Sequence, residues 1–354
     1  MSQNRRTFFK TAAVTMSAAL PVKGVNSTQE FPSLSQLREA HQKKGIIPPN
    51  KTYRMMEWEC HTPPEGNFEV DFEEAVKAAR DAGAESMMFY SQDHWGYSFY
   101  LSDVAVRHPS LKEDVFGRQV ELARKHGMSV VCYYSLQFNN QIVLKHPDWG
   151  WVDEEGNPKT YRWYVTSLNS PYRKYVTDMM EELFSRYEID ELFLDIFGVQ
   201  FYIHHRDGID PFGYSKYDED AWKQDNPGDP YRKGFKTREG WERRYRWHQK
   251  RTMTDMLDEI ISIMRRHRPN TLLSLNGGPE SFPNDIMQKV DFIYAEPITT
   301  KTGISIGSIL MRGWGRPDYQ AGVFSRQGYI DTFPGSVPRV KADALMLQNA
   351  RTCI

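Results

Sequence analysis

Tyr187-Glu188-Ile189-Asp190-Glu191-Leu192-Phe193-Leu194-Asp195-Ile196-Phe197-Gly198 is the stretch on which the reading of the fold turns. Its apolar run, Leu192 to Leu194, has the length of a strand, stops on a carboxylate, and is released by Gly198. In a parallel α/β barrel the C-terminal strand ends carry the chemistry, so an acid there is a candidate nucleophile or base. An Asp in that place can equally cap the following turn by accepting backbone N–H groups. The remainder of the chain has to choose.

On either side, strand and helix patterns alternate. Tyr53 to Glu59, Ser86 to Tyr90, Ser129 to Tyr134, Thr271 to Leu275, Phe292 to Ala295 and Tyr319 to Phe324 read as strands. Between them Asp71 to Ala82 reads as a helix, with Phe72, Ala75, Val76 and Ala79 at three-to-four spacing and a stop at Gly83. Val115 to His126 is a second helix, stopped at Gly127, and Ser170-Pro171 opens a third that runs to Tyr187. A fourth carries Met253, Met256, Leu257, Ile260, Ile261 and Met264 on one face and ends before Pro269. Such sustained alternation requires a parallel sheet, and seven strands point to an α/β TIM-type (β/α)8 barrel. No Gly-rich phosphate fingerprint follows the first strand, which disfavours a dinucleotide fold. A helical run from about Val340 continues to Ile354, so the barrel is expected to be truncated before its eighth strand. The connection from Val199 to Gly240, rich in Tyr, Asp, Pro and Gly, either shapes a pocket or is an insertion.

Composition narrows the function. The 354 residues hold 45 basic and 46 acidic side chains, a balance that implies neither nucleic acid nor a membrane surface as partner. Aromatic residues make up 13%, with nine Trp, and flat rings with a polar edge suit stacking on sugars as well as filling cores. Asn4-Arg5-Arg6-Thr7-Phe8-Phe9-Lys10, followed by small and apolar residues to Leu20, is similar to a twin-arginine export signal. That apolar part is too short to span a bilayer, and no Cys lies near it to carry a lipid. Residues 1–30 are therefore expected to be signal and linker, 31–354 the barrel, and the protein periplasmic or secreted without a membrane anchor. Cys60, Cys132 and Cys353 form no disulfide framework and read as free thiols. A homo-oligomer is left open.

On the barrel reading, the strand ends present Glu57-Trp58-Glu59-Cys60-His61, then Gln92-Asp93-His94-Trp95, Tyr133-Tyr134-Ser135, Asp195, Asn276 and Glu296. Glycoside hydrolysis needs two carboxyl groups, one protonating the leaving oxygen and one attacking the anomeric carbon or activating water. Asp195 and Glu296 are the catalytic pair expected here, with Glu57 and Glu59 competing for the acid role. Glu57, Trp58, His61, Gln92, Asp93, His94, Trp95, Tyr134 and Asn276 are expected to bind substrate. A metal held by His61, Asp93 and His94 is the other use of these groups. No His-x-His follows the first strand and no Glu/His pair sits at helix spacing, so neither a metal nor a cofactor is expected.

These motifs resemble a known group. Gln92-Asp93-His94-Trp95-Gly96-Tyr97 through Ser102 is similar to the second-strand motif of the α-L-fucosidases, with His94, Gly96 and Ser102 matching. Met55-Met56-Glu57-Trp58, Tyr133-Tyr134-Ser135 and Glu191-Leu192-Phe193-Leu194-Asp195 resemble its first, third and fourth strands. The family's first His is Glu57 here, its Lys-His is Gln92-Asp93, and the Gly after its nucleophilic Asp is Ile196. A closer resemblance, on Trp58-Glu59-Cys60-His61, His146-Pro147-Asp148-Trp149 and Asp153-Glu154-Glu155-Gly156, is to fucosidase-like glycosyl hydrolase barrels that often carry a β-galactosidase-type trimerisation domain downstream. The resemblance, over roughly residues 50–350, implies a retaining mechanism with Asp195 as nucleophile and does not pass the acid/base role to Glu296. A β-galactosidase-like clan member and a non-catalytic carbohydrate-binding barrel are the rival readings. The first needs a Glu where Asp195 stands; the second draws on the missing strand.

Overall fold

The computed structural model describes residues 54–153, 155–158, 160, 163–198, 214–234, 237–277, 282–295, 322–324 and 351–353. Elements follow one another as β1 (Arg54–Glu57), α1 (Phe72–Asp81), β2 (Ser86–Gln92), α2 (Val115–Lys125), β3 (Ser129–Ser135), α3 (Asn140–Lys145), α4 (Tyr172–Arg186) and β4 (Glu191–Asp195). Then come α5 (Lys216–Asp225), α6 (Tyr231–Gly234), α7 (Arg238–His248), α8 (Thr254–His267), β5 (Leu272–Asn276), α9 (Asn284–Met287), β6 (Phe292–Ala295), β7 (Gly322–Phe324) and β8 (Arg351–Cys353). Every strand pairs in parallel with its neighbours, in the order β1 to β8, and β8 returns to β1 to close the ring.

The α/β barrel expected from the alternation is therefore present. Its eighth strand is the element that sequence reading did not find. Arg351–Cys353 pairs with Gly322–Phe324 on one side and with Arg54 and Met55 on the other, where a continuing helix was expected. Three residues leave no room for a period-two pattern, so the strand is invisible without its neighbours. Six strands of four to seven residues form the main wall, and two of three residues complete it. The rest of the 340–354 run lies outside the described residues, as do residues 1–53 with the expected export signal.

Alternation along the strands makes two cores. Met88, Tyr90, Val131, Tyr133, Phe193 and Tyr294 point into the barrel. Phe89, Cys132, Tyr134, Leu192, Leu194 and Leu275 point outward against the helices. Leu192 and Leu194 are fully buried, and truncating such a side chain to Ala costs about 2–5 kcal/mol. The helices start where the sequence signals them. Asp71 caps α1 by accepting the Glu74 N–H at 2.9 Å, and Ser170 accepts the Tyr172 N–H at 3.2 Å beside Pro171. Helix α4, which delivers the chain into β4, is tied to α8 by Arg173 and Glu259 at 2.8 Å.

Part of the long connection after β4 is helical. Its described part, α5 to α7, builds a small core of Tyr214, Trp222 and Tyr231, with Val152, Tyr245 and Trp247 packed against it. Asn169 anchors it to the barrel by donating to Asp218 at 2.6 Å and to Thr252 at 2.9 Å. Cys60 and Cys132 are free. Among the described residues no helix is long and apolar enough to cross a membrane.

Candidate active site

Strand β4 turns inward at Phe193 and Asp195, so the parity of Leu192-Phe193-Leu194-Asp195 puts the carboxyl group in the barrel mouth. Asp195 is buried, and donors converge on it. Its Oδ1 accepts from Asn276 Nδ2 at 2.8 Å and from the Ile196 N–H at 2.7 Å. Its Oδ2 accepts a short hydrogen bond from the Tyr133 hydroxyl and lies 3.6 Å from His94 Nε2. Burial, reinforced by the charge of Asp195, pushes the Tyr133 hydroxyl well above the ordinary tyrosine range, so it remains a donor.

Ile196 adopts φ 57°, the only positive φ on a non-glycine among the described residues. A β-branched side chain is strained there, and such strain persists only where the surroundings over-determine it. Here the surroundings are a packed hydrophobic cluster of Phe138, Trp151 and Val165, with Trp163 alongside. The residue that follows Asp195 thus holds a left-handed turn.

Beside the carboxyl group stands a wall of rings. His94 Nδ1 lies 2.8 Å from Ser135 Oγ, and that hydroxyl donates in turn to the Phe138 carbonyl at 3.2 Å. Nδ1 thus faces Ser135, and Nε2 is the nitrogen turned to Asp195. His61 stacks on His94 with centroids 4.1 Å apart, and Trp163 meets His94 edge-on at 4.6 Å. Burial, then the neighbouring His94, lower His61 to about 3 against an opposing pull from Asp195, so it is neutral at neutral pH. Its Nδ1 is buried and makes no hydrogen bond among the described residues.

Glu57 faces the same interior at the end of β1 and accepts the Tyr90 hydroxyl at 2.7 Å. Tyr90 lies flat on Tyr133, with centroids 3.7 Å apart and 3° between planes. The structure thus brings Asp195, Asn276, His94, His61 and Glu57 together, and adds Tyr133, Tyr90 and Trp163, which sequence reading did not select. Tyr133 carried a usable signal: in a strand ending level with Asp195, the residue two before the end shares its face.

Other expected contacts stand elsewhere. Tyr134 is one residue out of phase and fully buried behind the wall near Tyr172 and Tyr175. Gln92 would have faced inward, but a bulge between Tyr90 and Gln92 reverses it. Its amide instead joins the Ser135 carbonyl at 3.2 Å and the Tyr175 hydroxyl at 3.0 Å. Asp93 is completely buried, pushed well above the usual carboxylate range by burial, and braces the turn by accepting the Tyr97 N–H at 3.4 Å. Trp58 leans on Phe72 and, with Cys60, Phe68 and Tyr90, lines a recess of about 110 Å³. Trp95 is half-buried against the interior cluster. Glu296 lies outside the described residues.

Comparison with known proteins agrees with the architecture. Residues 71–196, which run from the cap of α1 to the turn after Asp195, match the family described as GHL6, hypothetical glycosyl hydrolase 6. No curated protein matches the sequence. Among solved structures, α-L-fucosidase isoenzyme 2 from Paenibacillus thiaminolyticus superposes with a TM-score of 0.68 at 18% identity, over 85% of this chain and 45% of that one. A β-galactosidase from Bacillus circulans sp. alkalophilus gives 0.53 at 16% identity, over 86% of this chain and 50% of that one. A GH36 α-galactosidase from Geobacillus stearothermophilus gives 0.53 at 12%, over 90% and 41%. The chain spans half or less of each of these proteins, and at such identities the likeness is one of fold. It folds as a glycosyl hydrolase-like (β/α) barrel.

Proposed function

We propose that the protein is a retaining glycoside hydrolase, α-L-fucosidase-like in substrate, that removes terminal sugars from oligo- or polysaccharides. The observation that carries this reading is the hold on Asp195, an inward carboxylate at a C-terminal strand end with its Oδ1 fixed by Asn276 and Ile196 and its Oδ2 by Tyr133. A nucleophile so clamped meets the anomeric carbon in a set orientation, and this is where much of the rate of a displacement comes from. Asp195 would attack C1 as the bond to the leaving oxygen breaks. Water would then release the sugar from the ester with net retention. His94, His61 and Trp163 would line the sugar with ring faces and nitrogen atoms. For the acid/base the sequence offers Glu296, with Glu57 and Glu59 as competitors. Export by the twin-arginine route to the periplasm or medium belongs to the same proposal, and a reporter fused after residue 30 tests it.

The non-catalytic reading drew on a missing strand, and the closed ring removes that support. Turnover separates the two. Aryl α-L-fucosides, β-D-galactosides and α-D-galactosides are offered to the purified chain, and the released anomer is followed by NMR. Hydrolysis of the fucoside with retained configuration is the expected result; binding without release of any sugar would overturn it.

A further inference from the structure

We propose that Glu57 is the general acid/base of this site, a role that rests on Asp195 being the nucleophile. Glu57 ends β1, and side-chain alternation from Met55, which is in the interior cluster, carries it to the inner face. Strand β1 stands three places round the ring from β4, nearly opposite in a barrel of eight. Two stacked tyrosines on the intervening strands, Tyr90 and Tyr133, connect the two ends. Each donates its hydroxyl to one carboxyl group, Tyr90 to Glu57 and Tyr133 to Asp195.

That arrangement limits the spacing. Tyr90 and Tyr133 are register partners on neighbouring parallel strands with stacked rings, so their hydroxyls lie on the order of 4 Å apart, and one hydrogen bond on either side puts the carboxyl oxygens within about 9 Å of each other. Retaining glycosidases keep their two carboxyl groups about 5–5.5 Å apart and inverting ones about 6.5–9.5 Å apart; the bridge caps the separation and admits the retaining spacing. Glu57 is half-buried, open enough to reach a leaving oxygen, whereas Glu59 lies past the strand end with its side chain 72% exposed. Burial and the charges of Glu57 and Asp195 both raise Tyr90 and Tyr133, so the bridge keeps its two protons while the carboxyl groups change theirs.

In the first step the Asp195 carboxylate forms the bond to C1, the C1–O bond to the leaving group breaks, and the Glu57 proton passes to that oxygen. In the second the Glu57 carboxylate takes a proton from water as its oxygen attacks C1, and the bond to Asp195 breaks. Glu57 ends protonated and Asp195 ionised, as they began.

The test is E57Q, which keeps an oxygen to accept the Tyr90 hydroxyl, compared with E296Q and wild type on the three aryl glycoside series. With a 2,4-dinitrophenyl leaving group, which needs no proton, E57Q should cleave its first bond within about tenfold of wild type; with a poor phenol it should fall by about 10²–10⁴. Azide should restore turnover of E57A and give the glycosyl azide of retained configuration. A loss in E57Q that is the same for every leaving group makes Glu57 a sugar-binding or structural group and overturns the assignment. The leaving-group signature in E296Q instead of E57Q overturns it equally. If wild type turns over none of the series, the glycosidase reading itself falls and this one with it.

Discussion

Tyr133 and Tyr134 are adjacent, chemically identical and fully buried or nearly so, yet the account gives them opposite importance. Y133F removes a hydroxyl bonded to Oδ2 of Asp195 and leaves the ring stacked on Tyr90 and Phe193, so no cavity forms. A hydrogen bond to a charged group contributes about 1.5–3 kcal/mol, and buried Oδ2 has little water to replace it. If that stabilisation serves to hold the nucleophile, kcat falls roughly 10- to 150-fold. KM should stay within a few-fold, because the ring wall that meets the sugar is untouched. Y134F removes a hydroxyl behind the wall that makes no hydrogen bond among the described residues. It should leave kcat unchanged and stability unchanged or slightly higher. Initial rates on an activated aryl glycoside, with thermal melts of all three proteins, make the comparison. Equal kcat for Y133F and wild type, or equal losses for Y133F and Y134F, would refute the parity argument.

W163A withdraws the ring that meets both His61 and His94, at 5.8 and 4.6 Å. With each aromatic pair worth about 0.5–1.5 kcal/mol, KM should rise roughly 2- to 10-fold, and an unchanged KM would take Trp163 out of the site. Asp218 is raised by burial to about 6. The unfolded chain ionises it near 4, so the folded state loses stability as pH rises from about 4 to 6 and stays lower above that. D218N, which keeps an oxygen for Asn169, should therefore be more stable at pH 7 than wild type by up to ~3 kcal/mol, and by little at pH 4. Urea melts at both pH values check this, and a pH-independent difference would count against it. His61 runs the other way: lowered to about 3 by burial, it stays neutral in the fold while the unfolded chain takes up a proton below about 6.5. Stability is thus lost as pH falls through that range, and H61N should flatten the acid side of the stability curve.

The barrel and its nucleophile candidate were legible because both rest on period. Leu192-Phe193-Leu194 reads as a strand alone, and helices α1, α2 and α8 show their buried faces at three-to-four spacing. What escaped depends on register, which no single segment carries. Strand β8 exists by virtue of partners on both sides. Nothing in Tyr90-Ser91-Gln92 announces a bulge, and one extra residue turns the Gln92 side chain to the other face. Tyr133 and Tyr134 are indistinguishable for the same reason, since two tyrosines in sequence differ only in parity. Trp163 lies in an irregular segment without periodicity and reaches the site by tertiary packing alone.

The central claim is that Asp195 becomes covalently bonded to the sugar. A 2-deoxy-2-fluoro glycosyl fluoride of the sugar that is turned over slows release of that intermediate, and peptide mapping by mass spectrometry then finds the label. One sugar per chain is expected, on Asp195, and none on D195N. Label on Glu57, Glu59 or Glu296, or turnover with inverted configuration and no label, would contradict it.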